Sequence, residues 1–381
     1  MVEEQKIFSE QQLAERMNYE LMNALLPLVT FIGFEIVFGF FGNLLVFYVY
    51  TFRYRQRNFR YFVLCLAMAD TLSCLTSMPL EIVSLTHWYI YPGEALCKIK
   101  TFFSVFTAIS NSLCLFVIAI DRYRKVCEPL GWQITPEIAK RLCCSIYLVA
   151  FLVSVPFLYF WGTMSYQYIY ENRNITVTTC GKDTGKVHAV GYAITIDVIM
   201  FSTLFIMLVL YTLIARRLLA KRKPIIVGAK TLSHAKKLVC SSSEDGAVLQ
   251  LKEYYSAQDA YKYRFKDDRC RKVVNNQRVA NGYENCKVDA RIRRMTVIML
   301  ILTLSFIITA GVYLALLFLF ALSDDKKVDK MSNGLKVVMS FFLRLYFINH
   351  VINPVVYISM DPHFRKTIRK RFYRIFSCKC C

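Results

Sequence analysis

Seven stretches of this chain are apolar for long enough to cross a lipid bilayer, a passage that takes about 20 mostly apolar residues in helical form. The runs are Leu25–Tyr50, Tyr61–Leu85, Phe102–Ile120, Leu142–Gly162, Ala189–Ala215, Met295–Leu322 and Val337–Met360. Their glycines and prolines are tolerable because neighbouring helices re-satisfy freed backbone groups. The pattern predicts an all-α membrane protein, a bundle of seven transmembrane helices. The first run is too deep and too long for a cleavable signal peptide. The first 24 residues also carry five Glu against one Lys and one Arg, so it reads as a retained helix.

Most connections are short, which makes the spans pack in sequence order. One loop, about Thr163 to His188, alternates Tyr166, Tyr168 and Tyr170, then offers a turn at Asn172-Arg173-Asn174 and β-formers at Thr176–Thr179. That pattern predicts a β-hairpin over the bundle mouth, tethered by Cys180, with an irregular loop as the alternative. Ala215–Arg294 carries 20 Lys/Arg and a Ser241-Ser242-Ser243 cluster with little apolar periodicity. Its middle, residues 220–288, is expected to be largely disordered between helical extensions at Tyr211–Leu219 and Ala290–Met295. The division is therefore an N-terminal segment (1–24), a seven-helix domain (25–360) and a C-terminal tail (361–381).

Composition changes the picture once it is placed on these spans. The 381 residues are 56% hydrophobic and 20% charged, yet the formal net charge is +21. The apolar content excludes disorder and the length excludes a small disulfide scaffold. A charge of +21 alone suggests nucleic acid. However, 36 of the 48 Lys and Arg lie in the four segments on one side of the spans. Basic loops stay inside, so the N-terminus is outside, the C-terminus is cytoplasmic, and the surface that the charge faces is the lipid bilayer, not nucleic acid. Of 14 cysteines only Cys97 and Cys180 fall in outside segments, where an oxidising exterior pairs them unless both remain free. Asn174-Ile175-Thr176 is an outside glycosylation sequon. There is no metal-ligand spacing, phosphate-binding glycine loop or nucleophile–base constellation, which counts against an enzyme.

Polar residues inside the spans are the candidate chemistry, since an ionisable group at mid-bilayer costs at least ~2.5–3.5 kcal/mol. Asp70 is mid-span, and Asn43, Asn111, Asn349 and Asn353 lie at comparable depths. They read either as a hydrated pocket for a small cation or as a structural hydrogen-bond network. Glu81 and Arg344 lie near the outside ends of the second and seventh spans, as an interhelical ion pair or as groups facing a ligand. Glu35 and Asp197 are alone in their spans.

These residues together resemble the rhodopsin-like (class A) G-protein-coupled receptors. Gly42-Asn43, Leu66-Ala67-Met68-Ala69-Asp70, Asp121-Arg122-Tyr123, Tyr211, Asn353-Pro354-Val355-Val356-Tyr357 and Phe364-Arg365 match that family's signatures in order and on the right spans. Cys97, 25 residues before Arg122, and Trp88, nine before Cys97, also fit. The resemblance covers about Leu25 to Phe376. It implies a disulfide from Cys97 to Cys180 and a plasma-membrane, multi-pass receptor with a heterotrimeric G protein as partner. Arrestin and receptor kinases follow as further partners. Asp121 holds Arg122 at rest; on release Arg122 meets Tyr211 and the G protein, while Tyr357 swings on the Pro354 kink. Asp70, Asn111, Asn349 and Asn353, with Asn43, match the family's sodium-and-water site. Arg365–Arg374 becomes a short amphipathic helix on the inner leaflet. Cys378, Cys380 and Cys381 are then acylation sites or plain thiols.

The ligand is less constrained. The family's amine receptors carry an aspartate where this chain has Ser104, and its opsins a lysine where it has Phe347. The hairpin loop, long basic third inner loop and Tyr-rich outer surface resemble peptide receptors for a neuropeptide or peptide hormone. Glu81, Ser104, Tyr313 and Arg344 are the expected ligand pocket, with Arg344 suited to a ligand carboxylate. The alternatives are a non-peptide anionic or lipid ligand, or a seven-span ion transporter, against which no inverted repeat is visible. Span six departs from the family: Thr309-Ala310-Gly311-Val312 replaces its Cys-Trp-x-Pro, with Phe306 retained. Thr203 and Ser112 replace its usual partners, and Ile292 stands where an acid would lock Arg122. Gly311 is then the flexible point, and basal activity is expected to be high.

Overall fold

In hydrocarbon every backbone N–H and C=O has to be satisfied inside the chain, and a helix does so segment by segment. A computed structural model describes residues 9–52, 58–182, 187–220, 277–321 and 331–377. Seven helical spans among them are long and apolar enough to cross a membrane: Glu10–Phe52, Asn58–Thr86, Glu94–Cys127, Pro136–Phe160, His188–Ala220, Ile292–Leu317 and Asn333–Met360. A two-stranded antiparallel sheet joins the fourth to the fifth, and a last helix, Pro362–Ser377, follows the seventh. Most of the segment expected to be disordered (221–276) lies outside the described residues, as do Cys378, Cys380 and Cys381.

The first helix starts fifteen residues earlier than the apolar run that predicts it, at Glu10 instead of Leu25. Two local causes account for this. Ser9 Oγ accepts from Gln12 N at 3.3 Å and Gln12 Oε1 accepts from Ser9 N at 3.0 Å, a reciprocal capping box. Leu13, Met17, Leu21 and Leu25 then form a stripe at helical spacing, buried against Tyr89, Ile175 and Val177. A 43-residue helix is about 65 Å long, twice the hydrocarbon thickness. The second span breaks at Thr76 (φ −124°, ψ −68°), because Pro79 lacks the N–H that Leu75 O needs. The seventh loosens into a 3-10 turn at Leu345–Phe347 before resuming at Ile348.

The hairpin pairs Trp161–Tyr170 (β1) with Arg173–Lys182 (β2), Tyr166 facing Val177 and Tyr168 facing Ile175. Gly162, expected to end the fourth span, is already in β1. The turn sits at Glu171-Asn172, one residue before the expected one, with φ of 48° and 61°. Two positive-φ residues give the hairpin turn whose twist matches the strands. Cys97 and Cys180 form a disulfide, S–S 2.01 Å. Independently, Tyr91 N donates to Thr178 O at 2.9 Å and Thr178 N to Tyr89 O at 2.8 Å, stitching the hairpin to the loop after the second span.

At the opposite end of the bundle the last helix is capped by Asp361, whose Oδ1 accepts from His363 N at 3.0 Å while Oδ2 accepts from Tyr50 Oη at 3.1 Å. Phe364 is thereby seated against Tyr50 and Tyr357, ring centroids 6.0 and 6.4 Å away. The first and seventh spans close at Gly42: a Cβ there would stand 2.8 Å from Pro354 Cγ and 2.9 Å from Cβ. We predict that Gly42→Ala costs about 1–3 kcal/mol through overpacking. Gly33→Ala, with nothing within 4 Å, is neutral or stabilising. Melting of the purified variants in detergent distinguishes them, and equal melting would refute the close-approach argument.

Candidate functional site

Polar groups inside the bundle gather at three depths. At the end away from the hairpin, Arg122 is buried and its guanidinium meets the carboxylate of Asp121. That carboxylate is shared: Asn58 Nδ2 donates to it at 2.6 Å and Lys125 Nζ lies 2.9 Å away. Arg122 also lies over the ring of Phe59 at 5.7 Å, while its Nε has no partner among the described residues. Tyr123 packs half-buried beside this core, and Phe306 lies in it with Ala310. The hydroxyl of Tyr211 accepts from Thr303 Oγ1 at 3.1 Å and does not bond Arg122. Tyr357 rests against Tyr50, ring centroids 5.6 Å apart, on the side of the first span.

At mid-depth Asp70 is fully buried. Its Oδ1 accepts from Asn111 Nδ2 at 2.9 Å and from His350 Nδ1 at 2.8 Å, and its Oδ2 from Asn353 Nδ2. Two residues grouped with Asp70 by depth turn elsewhere. Asn43 Nδ2 donates to the backbone oxygens of Gly39 and His350, at 2.9 and 2.7 Å. Asn349 faces the sixth span, donating to Thr309 Oγ1 at 2.6 Å and accepting from Ser305 Oγ at 3.3 Å. Helical spacing explains the divergence: Asn349, Asn353 and His350 fan over about 100° of one regular helix, so Asn353 and His350 reach Asp70 while Asn349, at the edge of the fan, faces the sixth span. Glu35 is buried with neither carboxylate oxygen partnered among the described residues.

At the hairpin end Arg344 donates to Glu81 Oε1 from Nε at 3.0 Å and from Nη2 at 2.7 Å. Lys100 Nζ lies 3.0 Å from Glu81 Oε2, so two cations share one carboxylate. All three are mostly buried, with side-chain exposures of 20% (Lys100), 8% (Glu81) and 12% (Arg344). Tyr313 stacks edge-on against Tyr346 at 5.4 Å and lies within electrostatic reach of Glu81 and Arg344. Ser104, one turn after Lys100, buries a hydroxyl with no partner among the described residues. An apolar crevice of about 400 Å³, lined by Pro27, Leu28, Phe31, Val337, Val338, Phe341 and Phe342, holds none of these groups. Asn174 is exposed on the hairpin, where a glycan has room.

The structure thus brings Glu81 to Arg344, Asp121 to Arg122, and Asp70 to Asn111 and Asn353. It adds Lys100, Asn58, Thr303 and His350, none of which the sequence singles out. His350 carries the clearest missed signal, an ionisable side chain inside an apolar span. Lys100 sits near a span end, where a lysine ordinarily reaches water and draws no notice.

The chain matches the family model described as 7 transmembrane receptor (rhodopsin family) over residues 42–357. A cholecystokinin receptor of Xenopus laevis is 22% identical over 361 residues, covering 90% of this chain and 76% of that protein. The neuropeptide Y receptor type 4 of Rattus norvegicus is 30% identical over 132 residues, 34% of this chain and 35% of that protein. The type-1 angiotensin II receptor A of Xenopus laevis is 29% identical over 188 residues, 48% of this chain and 51% of that protein.

Removing one member of a buried ion cluster leaves its partners uncompensated, at a typical cost of about 3–5 kcal/mol. Glu81→Gln is therefore expected to lower the melting temperature more than the double variant Glu81→Gln/Arg344→Gln, which removes a cation as well. A double-mutant cycle with no coupling would show that Glu81 and Arg344 are solvated independently.

Proposed function

This chain belongs to the rhodopsin family of seven-transmembrane receptors, signalling proteins and not enzymes, and from that premise we propose that it is a plasma-membrane receptor for an extracellular peptide. Its N-terminus and hairpin face outward, as the segregation of Lys and Arg supports. The relatives named for cholecystokinin, neuropeptide Y and angiotensin support a peptide as the ligand class. The observation that carries the reading is the Lys100–Glu81–Arg344 cluster. It is polar, mostly buried, built from three spans and three residues along the third span from the disulfide. A ligand group placed there touches the second, third and seventh spans at once.

From that pocket a row of contacts runs inward. Tyr313 meets Tyr346, Tyr346 meets His350 at 6.5 Å, and His350 bonds Asp70. A ligand that binds the active arrangement of these helices more tightly than the resting one shifts the population toward it. At the other end Arg122, with donor capacity at Nε still unused, is the group offered to a heterotrimeric G protein. Tyr211 and Tyr357 complete its active neighbourhood after moving from Thr303 and Tyr50. Arrestin and receptor kinases follow as partners of the same surface. Two cations against one carboxylate favour a second reading for the ligand alone, a non-peptide anion or lipid head group.

The test is a neuropeptide library applied to cells that report calcium and cyclic AMP together. A peptide response that Arg122→Ala abolishes at unchanged surface level supports the reading. A response confined to anionic lipids selects the second one. Arg344→Gln is expected to raise the half-maximal concentration of the active peptide at least about tenfold, equivalent to roughly 1.4 kcal/mol. Among the described side chains of the sixth span no acid meets Arg122, and Gly311 has open space around it. Basal G-protein turnover should therefore exceed the empty-vector control at verified surface expression, and Gly311→Ala should reduce it by stiffening the helix. Basal turnover equal to the control would remove the incomplete-lock argument.

A further inference from the structure

The resemblance to this family implies a sodium ion at Asp70, and the residues present do not fit one. A carboxylate offers about four lone-pair positions. Here Oδ1 already accepts from Asn111 Nδ2 at 2.9 Å and from His350 Nδ1 at 2.8 Å, while Oδ2 accepts from Asn353 Nδ2. Hard cations are held by oxygen lone pairs pointed at them. What points at Asp70 is three N–H groups from two helices.

The tautomer of His350 follows from the same geometry. A ring nitrogen 2.8 Å from a carboxylate oxygen must carry the hydrogen, since two lone pairs would repel at that distance. The imidazole therefore fills an oxygen that a cation would need whatever its overall charge. Nor is it free to swing aside. The rings of Tyr346 and Phe347 stand 6.5 and 6.1 Å from it, and its backbone oxygen accepts from Asn43 Nδ2 at 2.7 Å.

Oxygens suited to a cation are nevertheless present nearby. Among the described residues Asn111 Oδ1 is buried without a partner, and so are the hydroxyls of Ser110, its chain neighbour, and of Ser73, one turn after Asp70. Neutral oxygens alone do not repay the dehydration of a monovalent ion in a membrane interior; the carboxylate is the ligand that would, and the ring completes the occupation of its Oδ1 while Asn353 holds Oδ2. We infer that the His350 imidazole takes the position of the monovalent cation at Asp70, so that the protein is indifferent to sodium and a cation site lies latent beneath the ring. The inference goes beyond the receptor reading and does not depend on which ligand the receptor takes.

The experiment uses the full-length protein, purified in detergent, with its melting followed in sodium chloride and in choline chloride at equal ionic strength. The unmodified protein is expected to melt at the same temperature in both. His350→Ser removes the ring, adds an oxygen and uncovers the carboxylate, so its melting temperature should rise by about 2–4 °C in sodium relative to choline. Adding Asp70→Asn to that variant should erase the rise. A sodium-dependent rise in the unmodified protein would overturn the inference, and so would a His350→Ser protein as indifferent to sodium as its parent. Should that variant fail to fold, His350→Ala serves in its place, and the titration of the unmodified protein decides the first half unaided.

Discussion

A carboxylate in the middle of a membrane bundle has no water to turn to, and most of this architecture can be traced to how Asp70 is answered. The second span supplies the carboxylate, the third answers with Asn111, and the seventh with His350 and Asn353. Each answer recruits a further helix. His350 offers its backbone oxygen to Asn43 of the first span, and its neighbour Asn349 ties the seventh to Ser305 and Thr309 of the sixth. Five of the seven spans are thus connected through polar bonds that start at one side chain. In an apolar medium helices gain nothing from hydrophobic burial against each other, so such bonds and close packing carry the association.

The two ends of the bundle repeat a single electrostatic arrangement. At one, Glu81 is shared by Lys100 and Arg344; at the other, Asp121 is shared by Arg122 and Lys125. Each is one buried acid with two bases, so each carries a surplus positive charge that a visiting anion or the dipole of a docking helix can neutralise. A cluster with its charges balanced would have no electrostatic reason to change partners. On the proposed reading that surplus is what an incoming partner would meet at either end, while the acid between the bases keeps the cluster tolerable without one.

The sequence reveals the spans because a bilayer imposes a length, and it reveals the hairpin because alternation and a turn-former coincide. It does not reveal where the first helix begins: the stripe from Leu13 to Leu25 is buried against protein above the membrane zone, and no hydropathy window distinguishes that from a polar tail. Among the site residues, Asp121, Arg122, Asp70 and Asn353 are legible because charge or proline marks them. Asn43 and Asn349 share their depth with Asp70 but not their direction, since depth is a property of position and direction depends on helix phase. That phase differs even between neighbours in one regular helix, as Asn349 and His350 show, and a reading by depth does not register it. His350 is marked by an ionisable side chain in an apolar span, whereas Lys100 sits near a span end, where a lysine draws no notice.

The first helix has a mechanical consequence. One unbroken rod runs from the hairpin contacts near Met17, past Pro27, to Gly42 against Pro354 and Tyr50 beside Phe364. With about 1.5 Å of rise per residue, the arm from Pro27 to Phe52 is roughly 38 Å long, and a tilt of about 3° around the proline displaces its far end by roughly 2 Å. That is the size of step by which packed helices shift against one another, short of a change of register. The rod has the proportions of a lever, its short arm clasped by the hairpin and its long arm resting on Pro354 of the seventh span.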